Sequence, residues 1–242
     1  MPSLDDLKKR IASVKSTQKI TKAMKMVAAA KLRKAQEAAE QSRPYADNME
    51  NLMDSISRGY IQTDSSRTLL TGSNEDKTIL LVLFTSERGL CGGFNSQVSK
   101  ALRDKIIELQ NQNKTVKVLC VGKKGYDIIK RQYGDLIVEM IDLSSVKSIQ
   151  YGDAKNISDK IIKMYFDAEF DRCLIFYNKF KSVISQIPTE QQVIPAEKSQ
   201  DETNEDQSKD NSFFEFEPNE KEILEELLPL NFAIQIFKAL LE

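Results

Sequence analysis

Two kinds of apolar spacing divide this chain. From residue 3 to residue 58 apolar residues recur in heptads. One position of the repeat reads Leu7, Val14, Thr21, Ala28, Ala35, Ser42, Met49 and Ile56, and the other reads Leu4, Ile11, Gln18, Lys25, Leu32, Ala39, Ala46 and Met53. The seam is polar only at Gln18, Thr21, Lys25 and Ser42, and the first three fall within TQKITKAMK, residues 17–25. Such spacing predicts one long helix over 1–59 that forms a coiled coil, because an apolar stripe on a lone helix has nowhere to bury itself. A polar break in a seam fixes register or faces a different partner. Ser3 suits the N-cap, Asp5 and Asp6 suit the positive end of the helix dipole, and Gly59 suits the stop. Pro44 is expected to kink or divide the helix, since it removes a backbone donor and crowds the preceding turn. Unbroken, the helix would run about 84 Å and would project from any small domain.

After a polar, turn-rich linker at 60–76 the pattern changes to short apolar runs alternating with amphipathic stretches. KTILLVLFTSE (77–87), TVKVLCVG (115–122) and LIVEMIDL (136–143) read as strands, with helices expected over 94–112, 124–133 and 153–168. RCLIFYNKF (172–180) and ISQIPTEQQVI (184–194) suit a closing hairpin. The alternation predicts a Rossmann-like α/β domain over 77–195 with a largely parallel sheet. Residues 196–212 form an acidic tract expected to be a flexible loop, and 213–227 a strand and connector beginning FFEFEP. The last segment, 228–242, reads as the start of a second helix. Leu227, Leu230, Ile234, Phe237 and Leu241 repeat the heptad spacing, so this helix is expected to pair antiparallel with the first.

Composition narrows the chemistry. Among 242 residues there is no histidine, which removes the commonest general base and metal ligand. Cys91, Cys120 and Cys173 form an odd set without metal-site spacing, and Cys91, in a glycine turn, is the one expected to be accessible. No apolar run is long enough for a membrane span, and the N-terminus lacks the apolar core of a signal peptide, which predicts a chain made and kept in the cytoplasm or on its side of a membrane. The formal net charge of −1 conceals a net +8 over residues 1–34 and a net −9 over residues 196–226. The two ends therefore face different electrostatic partners, or each other.

SERGLCGGFN (86–95) lies between a strand and a helix, where a phosphate loop would lie. It lacks the Lys-Ser/Thr that grips β- and γ-phosphates and magnesium, and VGKKG (121–125) lacks it too, so a tight exposed turn is the expectation and no cofactor or metal is called for. The basic helix could hold nucleic-acid phosphates, but residues 1–44 offer no interleaved aromatics in its basic part, and an acidic protein partner is preferred.

IASVKSTQKITKAMKMVAAAKLRKAQ (11–36), SERGLCGGFN, and YNKF with IPTEQ (177–191) together resemble the gamma subunit of the F-type ATP synthase, in that family's order and spacing from residue 3 to residue 242. The resemblance implies a central-stalk rotor subunit without catalytic groups. Its terminal helices would form an antiparallel coiled coil inside a hexamer of alternating alpha and beta subunits. The α/β domain would sit beside the epsilon subunit and the membrane ring of c subunits, whose rotation the shaft would pass to the catalytic beta subunits. By the same resemblance Gln18, Lys19, Thr21, Lys22, Met24 and Lys25, with Arg88, Gly89, Leu90, Cys91, Gly92 and Gly93, would contact the hexamer near an acidic lever of the beta subunits. Phe214, Glu215, Phe216 and Glu217 would lie near epsilon and the c ring, with Phe where the family usually has Tyr or Trp. With no transit peptide ahead of Met1, a bacterial version is implied, peripheral on the cytoplasmic face of the inner membrane and touching the membrane only through its complex. The family's second helix runs on for about the length of the first and ends in a signature absent here, which predicts a truncated product or a fragment. The alternatives are a coiled-coil adaptor for an acidic protein or nucleic acid, and a nucleotide-dependent α/β enzyme.

Overall fold

The computed structural model describes residues 3–59, 67–73, 75–196 and 220–242. The chain forms two compact units, Met1–Pro44 and Tyr45–Glu242. Helix α1, Leu4–Gly59, begins in the first and ends in the second. Its start is a reciprocal cap: the Asp6 amide donates to Ser3 Oγ at 3.2 Å, and the Ser3 amide and hydroxyl donate to the Asp6 carboxylate. Pro44 lies inside the helix and does not divide it. In the first unit every residue from 3 to 35 is exposed, seam positions included, with Leu4 at 78% and Val14 at 68%.

The second unit is a five-stranded sheet between helices. Its strands are β1 (Thr78–Phe84), β2 (Thr115–Val121), β3 (Ile137–Ile141), β4 (Arg172–Ser182) and β5 (Ser185–Ile194), in the order β3-β2-β1-β4-β5. The first four are parallel, and β5 returns antiparallel to β4 as the expected hairpin. Helices α2 (Phe94–Asn111), α3 (Lys123–Tyr133) and α4 (Tyr151–Phe166) make the crossovers. Strand β1 is central and reads as a continuous apolar run because both of its faces are covered. Ile79, Leu81 and Leu83 pack with Val98, Leu102 and Ile106 of α2, while Leu80, Val82 and Phe84 pack with Ile157, Ile161 and Tyr165 of α4. Each such burial is worth about 1.5–3 kcal/mol.

Three expectations need correction. Helix α5 spans Glu220–Leu241, so it begins well before residue 228 and takes in the end of the segment assigned to strand and connector. Pro229 is accommodated inside it, and the preceding EKEILEELL is rich in good helix formers with acid at its start. The proposed strand over FFEFEP lies outside the described residues, as does the acidic tract from residue 197.

The principal cover of α5 is the α/β unit itself rather than α1. Phe232, Ile236 and Ala239 join the core beneath α4, and Phe237 meets Tyr151 edge-on at 6.2 Å. From α1, Ala46, Met49 and Met53, with Leu52 at their edge, share an apolar cluster with Ile234, Leu227, Leu228 and Leu230 of α5, so the end of α1 that lies in this unit meets α5 as well.

The linker at 60–76 is also partly core. Leu69 and Leu70 are buried, and Arg67 donates to the Tyr165 and Phe170 carbonyls at 2.8 and 2.7 Å and to Asp171 Oδ1 at 2.8 Å. Asp171 further accepts from Ser73 Oγ and from the amides of Lys77 and Thr78. One carboxylate thereby ties the linker to the entrance of β1 and β4.

Candidate functional site

Two exposed segments carry the residues singled out from the sequence, one in each unit. On α1, successive residues turn by about 100°, so Gln18, Thr21, Lys22 and Lys25 share an arc about 100° wide, while Lys19 and Met24 flank it on opposite sides. All six are exposed. Thr21 Oγ1 donates to the Thr17 and Gln18 carbonyls at 3.0 Å, and Thr17 Oγ1 to the Ser13 carbonyl at 3.1 Å. Bonding back to the helix satisfies these hydroxyls without any neighbouring side chain. Among the described residues no carboxylate pairs with Lys19, Lys22 or Lys25, so the patch presents three uncompensated cations.

The second segment is the turn from β1 to α2, at the carboxyl ends of the parallel strands, where open α/β sheets place their ligands. Arg88 through Gly93 are all exposed, and Leu90 stands fully in solvent with φ at 65°. Gly92 also has positive φ, at 61°, with open space beside its Cα. The base of the turn is braced. Asn95, buried, accepts from the Ser86 amide at 3.0 Å and donates to Ser86 Oγ at 2.8 Å and Cys91 Sγ at 3.1 Å, and Ser86 Oγ donates to the Arg88 carbonyl at 2.6 Å. Cys91 is exposed as expected; Cys120 and Cys173 are buried, and burial pushes the Cys120 thiol up to about 12.

The neighbouring glycine turn, at the start of α3, gives a phosphate nothing to hold. Four successive amides already have acceptors within the chain: Gly122 donates to the Ile141 carbonyl, Lys123 to Glu87 Oε2, Lys124 to the Ser86 carbonyl and Gly125 to Thr85 Oγ1. A helix N-terminus binds anions through such amides. Here the anion is the chain's own Glu87. That residue and Arg67 with Asp171 escaped the sequence reading, because a lone Glu, Arg or Asp in a turn carries no local signal of a distant partner. Among the described residues no group of His, Cys, Asp and Glu is placed to hold a metal ion, and no helix is long and apolar enough to cross a membrane. Phe214, Glu215, Phe216 and Glu217 lie outside the described residues.

An α/β layer domain joined to a long basic helix whose apolar seam stands exposed defines a protein that presents surface for another macromolecule to cover. The family model described as ATP synthase matches residues 3–242. The chain is 54% identical over 242 residues to the ATP synthase gamma chain of Rhizobium leguminosarum bv. trifolii, covering all of this chain and 82% of that one. It is likewise 54% identical over 242 residues to the ATP synthase gamma chain of Pelagibacter ubique, with the same coverage of each. The chain belongs to the ATP synthase gamma-chain family. Its fold is similar to a chain in the cryo-EM structure of the Tetrahymena thermophila mitochondrial ATP synthase central stalk and c ring, with a TM-score of 0.66, 24% identity, and coverage of 92% of this chain and 91% of that one.

Proposed function

We propose that this chain is the central-stalk rotor subunit of a proton-translocating F-type ATP synthase, passing rotation of the c ring to catalytic sites on the beta subunits and so coupling ATP turnover to proton flow. The observation that carries the reading is the exposed, basic, heptad-patterned surface of residues 3–35, which requires another macromolecule to cover it. Alpha and beta subunits are that cover, epsilon and the c ring hold the other end, and the chain is peripheral on the cytoplasmic face of the bacterial inner membrane, touching lipid only through the complex.

Within that role, Gln18, Lys19, Thr21, Lys22, Met24 and Lys25, together with the turn from Arg88 to Gly93, meet acidic surface on the beta subunits. Three unpaired lysines on an exposed helix attract such a surface over about a Debye length. Residues 214–217 supply contacts to epsilon and the c ring. The nucleotide-enzyme alternative is disfavoured because neither glycine turn carries the Lys-Ser/Thr that grips phosphate and magnesium, and at the α3 turn Glu87 and the chain's own oxygens occupy four successive amides. Co-expression with alpha, beta and epsilon subunits of the same source tests the reading. One copy of the chain is expected in each hexamer, and a bead fixed to its α/β domain is expected to rotate in one direction when ATP is added. A hexamer that excludes the chain, or one that hydrolyses ATP while the attached bead stays still, would overturn it.

A further inference from the structure

We propose that Glu87 is the positioning residue of the β1–α2 turn, the side chain that makes the exposed segment 88–93 a rigid lever on the sheet instead of a loose loop. The inference rests on the reading of that turn as a contact to the beta subunits.

The geometry is a three-way tie. Glu87 directly precedes the exposed residues, and its carboxylate reaches two other connections: Oε2 accepts from the Lys123 amide at 3.2 Å and Oε1 from the Leu143 amide at 2.8 Å. Lys123 opens α3 just after β2, and Leu143 follows β3, so one side chain fastens the ends of three neighbouring strands. Helix α3 needs this carboxylate. Its N-cap is Gly122, with φ at 100° and no side-chain cap, and an anion supplied from elsewhere satisfies the orphan amide and the dipole together. A carboxylate can accept both bonds at once, and charge strengthens each of them.

On the other side of the turn Asn95 and Ser86 hold its root to α2, and the Lys124 amide donates to the Ser86 carbonyl at 3.3 Å. Ser86 and Asn95 also hold the Arg88 carbonyl and Cys91 Sγ, whereas at the very tip Leu90 is in solvent and Gly92 has open space around it. Root and tip are therefore mechanically different. A sideways load applied at 88–93 passes through the Glu87 carboxylate into β2 and β3 as well as through β1.

Amide hydrogen exchange on the isolated chain provides the first test. In Glu87→Ala the Lys123 and Leu143 amides are expected to exchange about tenfold faster, with the amides of β1 unchanged. In Glu87→Gln, which keeps one acceptor oxygen but turns an NH2 toward the other amide, only one of the two should accelerate. Unchanged exchange at both amides in both variants overturns the inference.

The second test uses the assembled complex and compares protons pumped per ATP hydrolysed. Arg88→Ala and Leu90→Gly probe the tip, and Glu87→Gln the root; each is expected to lower the ratio by about twofold or more. If the tip variants lower it and Glu87→Gln does not, Glu87 is structural only. If the tip variants leave it unchanged, the coupling reading of the turn fails, and the inference with it.

Discussion

A methyl group added to Gly122 would lie 2.1 Å from the Thr85 carbonyl oxygen, in a backbone with φ at 100°. No side chain fits that space or that conformation. Gly122→Ala is therefore expected to destabilise the α/β unit by at least about 2 kcal/mol, read from urea unfolding. Gly92→Ala, with φ at 61° and nothing within 4 Å, is expected to cost only about 1 kcal/mol. Asp171 gives the fold an acid sensitivity. Burial alone would raise its carboxyl, but the Thr78 and Lys77 amides, the Ser73 hydroxyl and the Arg67 guanidinium overcome that and hold it below the usual carboxylate range. The folded form thus binds the proton more weakly than the unfolded chain. The stabilisation is fully present above the unfolded value of about 3.9 and is lost as pH falls through the lower folded value. Unfolding free energy measured between pH 6 and pH 3, a window of about three units around that value, is expected to fall more steeply for the natural chain than for Asp171→Asn. On α1, Lys22 and Lys25 are exposed and unpaired, and such lysines contribute little to folding. Replacing both with Glu should leave the melting temperature nearly unchanged while impairing coupling in the assembled complex; an unfolded double mutant would make these positions structural.

At the scale of elements, the heptads, the capping Ser3 and Asp6, and the buried apolar runs each announce themselves in neighbouring residues, so α1 and all five strands were legible in the sequence. Helix α5 was legible only in part: the heptad spacing marks it from about residue 228, while the helix begins at Glu220 and runs through Pro229. The uncovered part of α1 sets the next expectation. From residue 3 to residue 35 the helix is wholly exposed, and an isolated helix without tertiary packing is marginal in water. Limited proteolysis of the isolated chain should cut first within residues 1–40 and leave a resistant core that holds residues 77–195 together with the linker from Arg67 and helix α5 packed on it. A monomer resistant throughout residues 1–40 would contradict this. Assembly with the hexamer is expected to protect the same region.

For the molecule as a whole, the missing Lys-Ser/Thr at both glycine turns and the satisfied amides at residues 122–125 lead to one outcome: titration of Mg-ATP into the isolated chain is expected to give no binding heat at micromolar to millimolar nucleotide. Binding that Gly92→Asp or Gly93→Asp abolishes would contradict it. The basic end supports the same division of labour. Its charge lies on an exposed helix, suited to steering a protein partner, while the α/β unit spends its polar groups on holding its own strand ends together.

The sequence by itself determined the long helix, the alternation of strands and helices, the final hairpin and the accessibility of Cys91, because periodicity and capping belong to residues a few positions apart. Only the tertiary structure decided which surface covers α5, since an apolar stripe states that it must be buried but not against what. The same holds for the linker leucines, Leu69 and Leu70, and for Arg67, whose carboxylate partner is 104 residues away. Glu87 is the sharpest case. Its acceptors serve amides 36 and 56 residues further on, brought beside it only when three parallel strands end side by side and two backbone donors are left without partners.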